Sequence, residues 1–118
     1  MHTSRLIHVE EFLADFKVKL TIWGLILRSD RQKNTQTLAD LELGVSDVKQ
    51  ILGSLHAVDY AQGPLLDRMF GGADMWVFGQ QIKGREIYIK ITMGRPGSGV
   101  ICISFHFAEY PMSYPFKV

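Results

Sequence analysis

The chain has 118 residues, 47% of them hydrophobic, 21% charged and 11% aromatic, and a net charge of +1. That length fits one domain with one modest core, and the near-neutral charge excludes a polyelectrolyte-binding protein recognisable from bulk charge alone. One cysteine excludes an internal disulfide and suits a reducing compartment.

The N-terminus, MHTSRLIHVEEF, scatters charges through its apolar residues and is not a secretory signal. The longest apolar run, LTIWGLIL at 20–27, is far too short to span a bilayer. A cytoplasmic protein with no membrane partner is the expectation. Leu6, Val9, Phe12, Leu13 and Phe16 recur at helical spacing and predict an amphipathic helix over about 4–18, with Thr3 or Ser4 as its cap. TIWGLIL, rich in β-branched and aromatic residues, reads as a buried strand, and RSDRQKN at 28–34 as a polar loop.

A short helical turn is expected around TQTLADLEL. A further helix begins at Ser46, where Val48, Ile51, Leu52 and Leu55 form an apolar stripe and Asp47 sits near the positive end of the dipole. DYAQGPLLDRMFGGAD reads as irregular, punctuated by Gly-Pro and Gly-Gly. Three strand-like runs follow, DMWVFGQQ, EIYIKITM and GVICISFHF, joined through IKGR and GRPGSG as an antiparallel meander. The glycine-rich GRPGSG lies between two strands and matches no phosphate-binding fingerprint, so it reads as a turn. The closing AEYPMSYPFKV, with two prolines, is expected to be extended and packed by Tyr and Phe against the domain edge. The fold class is α+β: one domain over 1–118, an antiparallel sheet with helices packed on one face.

Alternation assigns faces. Ile87, Ile89 and Ile91 share a side with Ile101, Ile103 and Phe105, and burial of six such residues stabilises by roughly 1.5–3 kcal/mol each, so the helices must cover them. Tyr88, Lys90, Cys102, Ser104 and His106 are left on the open side. A tight IKGR turn adds Trp76, Phe78 and Gln80 to that side, whereas a one-residue slip substitutes Met75 and Val77. Lys83 and Arg85 stand at the turn. Aromatic rings interleaved with cations suit single-stranded RNA, the rings stacking on bases and the cations meeting phosphates.

The same groups could cleave RNA. Cleavage by the neighbouring hydroxyl needs a base for the 2′-OH proton, a cation for the phosphate and an acid for the departing 5′-oxygen. His106 suits acid or base, Lys90 the phosphate, and Tyr88 orientation or donation. A solvated edge histidine and a solubilising lysine are the plain alternatives, and a Cys102–His106 hydrolase lacks a third, orienting group. With one cysteine and no ligand cluster around His8 and Glu11, no metal or cofactor is expected.

Taken together, TLADLELGVSDVKQILGSLHAVDYAQGPL, DMWVFGQQIKGREIYIKI and VICISFHFAEYPM resemble the MqsR (motility quorum-sensing regulator) family of toxins from bacterial toxin–antitoxin systems, over about residues 35–112. The resemblance implies a fold like that of the RelE-type ribonucleases, a metal-independent and sequence-selective mRNA endoribonuclease (mRNA interferase), and a cognate antitoxin protein as partner. The family's strand tyrosine falls on Tyr88 and its lysine on Lys90. The basic residue ending the last strand falls on His106, where the best-known member has lysine, and a polar position after the DY segment falls on Gln62, where lysine is again typical. Gln80 and Gln81 lie near the family's active-site glutamine without aligning to it. RNA then lies across the open face, with Lys90, His106 and Tyr88 at the reacting phosphate and Gln62, Trp76, Lys83 and Arg85 holding what flanks it. The rival reading is a non-catalytic RNA- or protein-binding module of the same fold.

Overall fold

A computed structural model describes residues 2–66 and 72–117. The first helix, α1 (His2–Trp23), runs 22 residues, further at both ends than its apolar stripe alone indicates. Val9, Phe12, Leu13, Phe16 and Leu20 are all buried, so the stripe continues one turn past Phe16 and carries Thr21, Ile22 and Trp23 into helix rather than strand. Thr3 and Ser4 fall inside the helix. Gly24 ends it at φ 83°, its N–H donating to the Leu20 carbonyl at 3.0 Å, and an L side chain would be strained in that conformation. Only β1 (Leu25–Leu27) remains of the expected buried strand.

The polar stretch at 28–34 is not all loop. Helix α2 (Gln32–Leu41) begins within it, and α3 (Val45–Gly53) follows after a left-handed Glu42. Gly44, not Ser46, occupies the position before α3, and the Asp47 carboxylate accepts the Gly44 N–H at 2.8 Å. A short 3₁₀ turn, Ala57–Asp59, leads into β2 (Tyr60–Leu65). This strand lies in the segment expected to be irregular. Its Gly63–Pro64 is tolerated because β2 is an edge strand, where a missing N–H costs no ladder bond.

The meander is as expected: β3 (Met75–Ile82), β4 (Arg85–Thr92) and β5 (Val100–Phe107). Sheet order is β1-β5-β4-β3-β2, and β1 pairs parallel to β5, so the sheet is mixed rather than purely antiparallel. The class is α+β. Phe12, Phe16, Val48, Leu52 and Leu55 meet Phe78, Ile87, Ile89, Ile91 and Phe105 in one apolar layer on one side of the sheet. Phe12 stacks on Trp76 at 4.7 Å between ring centroids.

Two features set the other face. Ile82 pairs with Arg85 across the two-residue Lys83–Gly84 turn, whose φ values of 51° and 80° are those of a primed hairpin turn. That register places Val77 opposite Lys90 and Gly79 opposite Tyr88. Trp76, Phe78 and Gln80 therefore lie on the helix-covered side, a correction to the expected register. A β-bulge in β5 then skips Ile103: Lys90 pairs with Ser104 but Ile91 with Cys102. Alternation reverses at that point. Cys102 turns into the core beside Val100, while Ile101 and Ile103 leave it.

Between residues 103 and 107 the edge of β5 extends beyond β1, and α2 covers it. Asn34, buried at 1% exposure, donates to the Arg28 and Ile103 carbonyls and accepts the Phe105 N–H at 2.9 Å; Thr37 Oγ1 accepts the Phe107 N–H. Helix side chains thus satisfy edge groups that no strand reaches.

The C-terminal segment crosses the open face. Ala108 N–H donates to the Glu86 carbonyl, the Glu86 carboxylate accepts from Met112 N–H and the Tyr114 hydroxyl, and Phe116 stacks on Tyr60 at 5.5 Å. Tyr114 packs where Gly79 has no side chain, since a Cβ there would lie 2.2 Å from its hydroxyl. Burial and Glu86 push the Tyr114 phenol well up from its ordinary value.

A candidate RNA-binding cleft on the open sheet face

With the C-terminal segment on one side and the start of α2 on the other, the open face becomes a cleft of about 770 Å³. Its floor runs across four strands: Gln62, Val77, Tyr88, Lys90, Ser104 and His106. Strand pairing dictates this row, because residues directly opposite one another in a sheet share a face. Gln62 is opposite Val77, Val77 opposite Lys90, and Lys90 opposite Ser104, with Tyr88 and His106 forming the next pair.

Four of the seven expected site residues are brought together here: Tyr88, Lys90, His106 and Gln62. The other three are not. Trp76 is 8% exposed and stacked in the core. Lys83 extends from its turn to donate to the Leu41 carbonyl at the end of α2, at 2.6 Å. Arg85 lies 4.0 Å over the Phe107 ring, the two being on the helix side of the strands. Gln80 bonds to Asp59 and Ser54, also away from the cleft. The Cys102 thiol is buried on the opposite face from His106 and is pushed up to about 12 by burial, which removes the thiolate that a cysteine hydrolase requires.

Tyr88 and His106 stack with centroids 5.2 Å apart and planes 11° from parallel. His106 Nδ1 lies 3.0 Å from its neighbour's carbonyl, that of Phe107. A carbonyl oxygen only accepts, so Nδ1 carries the hydrogen and Nε2 of the neutral ring holds the lone pair. Lys90 Nζ sits 5.9 Å from the Tyr88 ring centroid. Burial, and then the charge of Arg31, hold its ammonium below the usual lysine value. Burial raises the Tyr88 phenol, with Arg31 opposing. Tyr88 therefore keeps its proton near neutrality and is a hydrogen-bond donor, not a base.

Sequence reasoning missed the α2 wall. Arg31, immediately before α2, donates through Nη1 to the Ile103 carbonyl at 3.2 Å and to Ser104 Oγ at 3.3 Å. The first of these acceptors belongs to the bulged residue, on the part of the β5 edge that β1 does not reach. Lys33 lines the cleft too, paired with Glu109 at 3.0 Å. Only a helix start placed at Gln32 would have shown this pair flanking β5; the run RSDRQKN has no apolar periodicity to reveal it. On the opposite wall stand Tyr110, 82% exposed, and Met112.

Three cations thus meet one carboxylate in a cleft of a chain whose whole net charge is +1. Among the described residues, no group of three or more His, Cys, Asp or Glu side chains converges as a metal site would require, and no helix is long and apolar enough to cross a membrane. No protein-family model matches the chain, and comparison with curated proteins and with solved structures likewise finds no match.

Proposed function

We propose that the protein is an endoribonuclease acting on mRNA without a metal, with the reacting phosphodiester bound in this cleft. One observation carries the reading: an imidazole with a defined free nitrogen, a retained phenol and a depressed lysine share one cationic cleft. His106 Nε2 takes the proton from the 2′-OH, and the 2′-oxygen attacks phosphorus. The bond from phosphorus to the 5′-oxygen breaks, leaving a 2′,3′-cyclic phosphate and a 5′-hydroxyl. Lys90 stabilises the charge that gathers on the non-bridging oxygens, and its lowered pKa fits it to protonate the departing oxygen. Tyr88 donates to the phosphate and holds the imidazole by stacking. Gln62 orients a neighbouring group by hydrogen bonding.

The sequence resemblance to MqsR-type toxins supports the same chemistry on a RelE-like fold. It adds cytoplasmic mRNA as substrate and a cognate antitoxin protein as partner. Gln62 and His106, where the best-known member has lysines, give this cleft less fixed charge and one more proton-transfer group.

The test is a long mRNA incubated with the protein in excess EDTA, beside a Lys90→Ala/His106→Ala double variant, with mapping of 5′ ends. Discrete cuts bearing 5′-hydroxyls are expected from the wild type alone, and His106→Ala by itself should lower the rate about 10²–10⁴-fold. Cuts by both proteins would move the chemistry elsewhere. No cuts by either folded protein would favour a non-catalytic binding module.

A further inference from the structure

Arg31 belongs to none of the residues that alternation or resemblance singles out, yet its surroundings are those of a ligand-binding side chain. Its guanidinium is fixed on one side only. Nη1 donates to Ile103 O and Ser104 Oγ, while Nε and Nη2 make no hydrogen bond among the described residues. A guanidinium edge of two parallel N–H donors matches the spacing of two oxygens on one phosphate or carboxylate. The anchored nitrogen removes much of the rotamer freedom that such a contact would otherwise cost.

Charge points the same way. Glu109, the carboxylate lining the cleft, is engaged by Lys33. Asp30, which also feels the Arg31 charge, is held by both Nε and Nη2 of Arg28, and Arg31 and Lys90 are like charges close enough for Arg31 to lower the Lys90 pKa. Like charges in a partly buried cleft repel, and an anion bound by both relieves the repulsion. The stacked rings of Tyr88 and His106 lie beside the same spot and suit an anion attached to a nucleobase.

We propose that Arg31 is a phosphate-binding residue, clasping the non-bridging oxygens of a single-stranded phosphodiester through Nε and Nη2 while Lys90 meets the same group from β4. This deepens the reading given above, and rests on it for RNA as the source of the phosphate. The bulged residue Ile103 is then part of the binding site, because its carbonyl, shared with Asn34, holds the guanidinium in place.

The probe is a fluorescein-labelled 2′-O-methyl RNA oligonucleotide, which lacks the nucleophile and cannot be cut, titrated by anisotropy over a range of salt. Wild type is compared with Arg31→Gln, which can still donate to Ile103 O but loses the charge and the fork, with Arg31→Lys, and with Lys49→Ala on the exposed side of α3 as a charge-deletion control. Arg31→Gln should bind about 10-fold or more weakly, as expected for a charge-assisted bidentate contact. Its log–log salt dependence should flatten by about 0.7, the value for one phosphate contact on a single strand. Arg31→Lys should restore the slope but only part of the affinity, and Lys49→Ala should match wild type. Melting curves of the Arg31 variants verify that the fold is retained.

Wild-type affinity and slope in Arg31→Gln would overturn the proposal, as would failure of the oligonucleotide to bind wild type. Arg31-dependent binding by a protein that cuts no RNA would sustain it and sink the nuclease reading instead.

Discussion

The two faces of this sheet obey different rules. At the centre of the helix-covered face volume decides: Phe78, Ile87, Ile89, Ile91 and Phe105 are fully buried and matched by Phe16, Val48 and Leu52. On the open face Tyr88, Lys90 and His106 are only partly buried, and two of them have pKa values displaced from the ordinary. Burial there costs free energy unless a partner is found, because desolvating a charge or a phenol is unfavourable where desolvating an isoleucine is not. A face that holds polar groups at such cost is organised for something other than stability. The comparison teaches where to expect each kind of mutant effect.

The largest effect should come from the covered face. Phe78→Ala removes a ring packed 6.3 Å from Phe12 and 6.1 Å from Tyr60, and should cost about 3–5 kcal/mol. Against a total of about 5–15 kcal/mol for a small domain, that is enough to unfold much of the population near the melting temperature. Tyr88→Ala, on the open face, should cost only about 1 kcal/mol. Chemical denaturation of the two variants measures both. Equal losses would mean that the C-terminal segment seals the open face into a second core.

Asn34→Ala tests the seam between the faces. Its amide serves two carbonyls and one N–H at a site with almost no water. Arg31 still reaches Ile103 O in the variant through its side chain and Arg28 O through its backbone N–H, but Phe105 N–H loses its acceptor. A loss of about 1–3 kcal/mol is expected from that unsatisfied group. Amide exchange should accelerate at Phe105 before it does at Ile89. Simultaneous acceleration at both would indicate that the β5 edge opens only with the whole sheet.

Legibility in the sequence followed the same division. The apolar stripes of α1 and α3 and the isoleucine alternation of β4 were readable because volume burial imposes a period, and the α+β class follows from them. Trp76 faces the core although the turn is as tight as expected, because a two-residue Lys83–Gly84 turn pairs Ile82 with Arg85 and therefore Gly79 with Tyr88 and Trp76 with Ile91, one residue out of step with the expected register. Cys102 and Ile103 were misassigned because a bulge interrupts the period without leaving a compositional mark. Strand β2 was hidden by Gly63 and Pro64, which are ordinary turn residues away from a sheet edge. Arg31 could not be found by pattern at all. Its role depends on a carbonyl more than seventy residues away, on the part of the β5 edge that β1 does not reach. Tyr88, Lys90 and His106 are legible because they sit on strands whose alternation shows in the sequence, whereas Gln62, on the hidden strand β2, enters only through the family resemblance.

The smallest expected effect is the most diagnostic for the open face. The Lys90 ammonium is disfavoured in the folded protein by burial and by Arg31, and not in the unfolded chain. Its folded pKa therefore lies below its unfolded value. Between those two values the unfolded state binds more protons, so this residue's contribution to stability improves as pH rises through that window and is at its worst below it. Lys90→Met keeps the length of the side chain and deletes the charge. At neutral pH the variant should melt about 1–2 °C higher than wild type, a modest gain because solvent screens a half-buried charge. The difference should shrink as pH approaches the ordinary lysine value of 10.5, where the wild-type amine sheds its proton in the folded state and the penalty with it. Added phosphate should narrow the gap at neutral pH as well, by supplying the missing counter-charge. Lower stability in Lys90→Met at every pH would mean instead that the ammonium has a structural partner and that the open face is held together by its charges, in which case the contrast between the two faces fails at its most specific point.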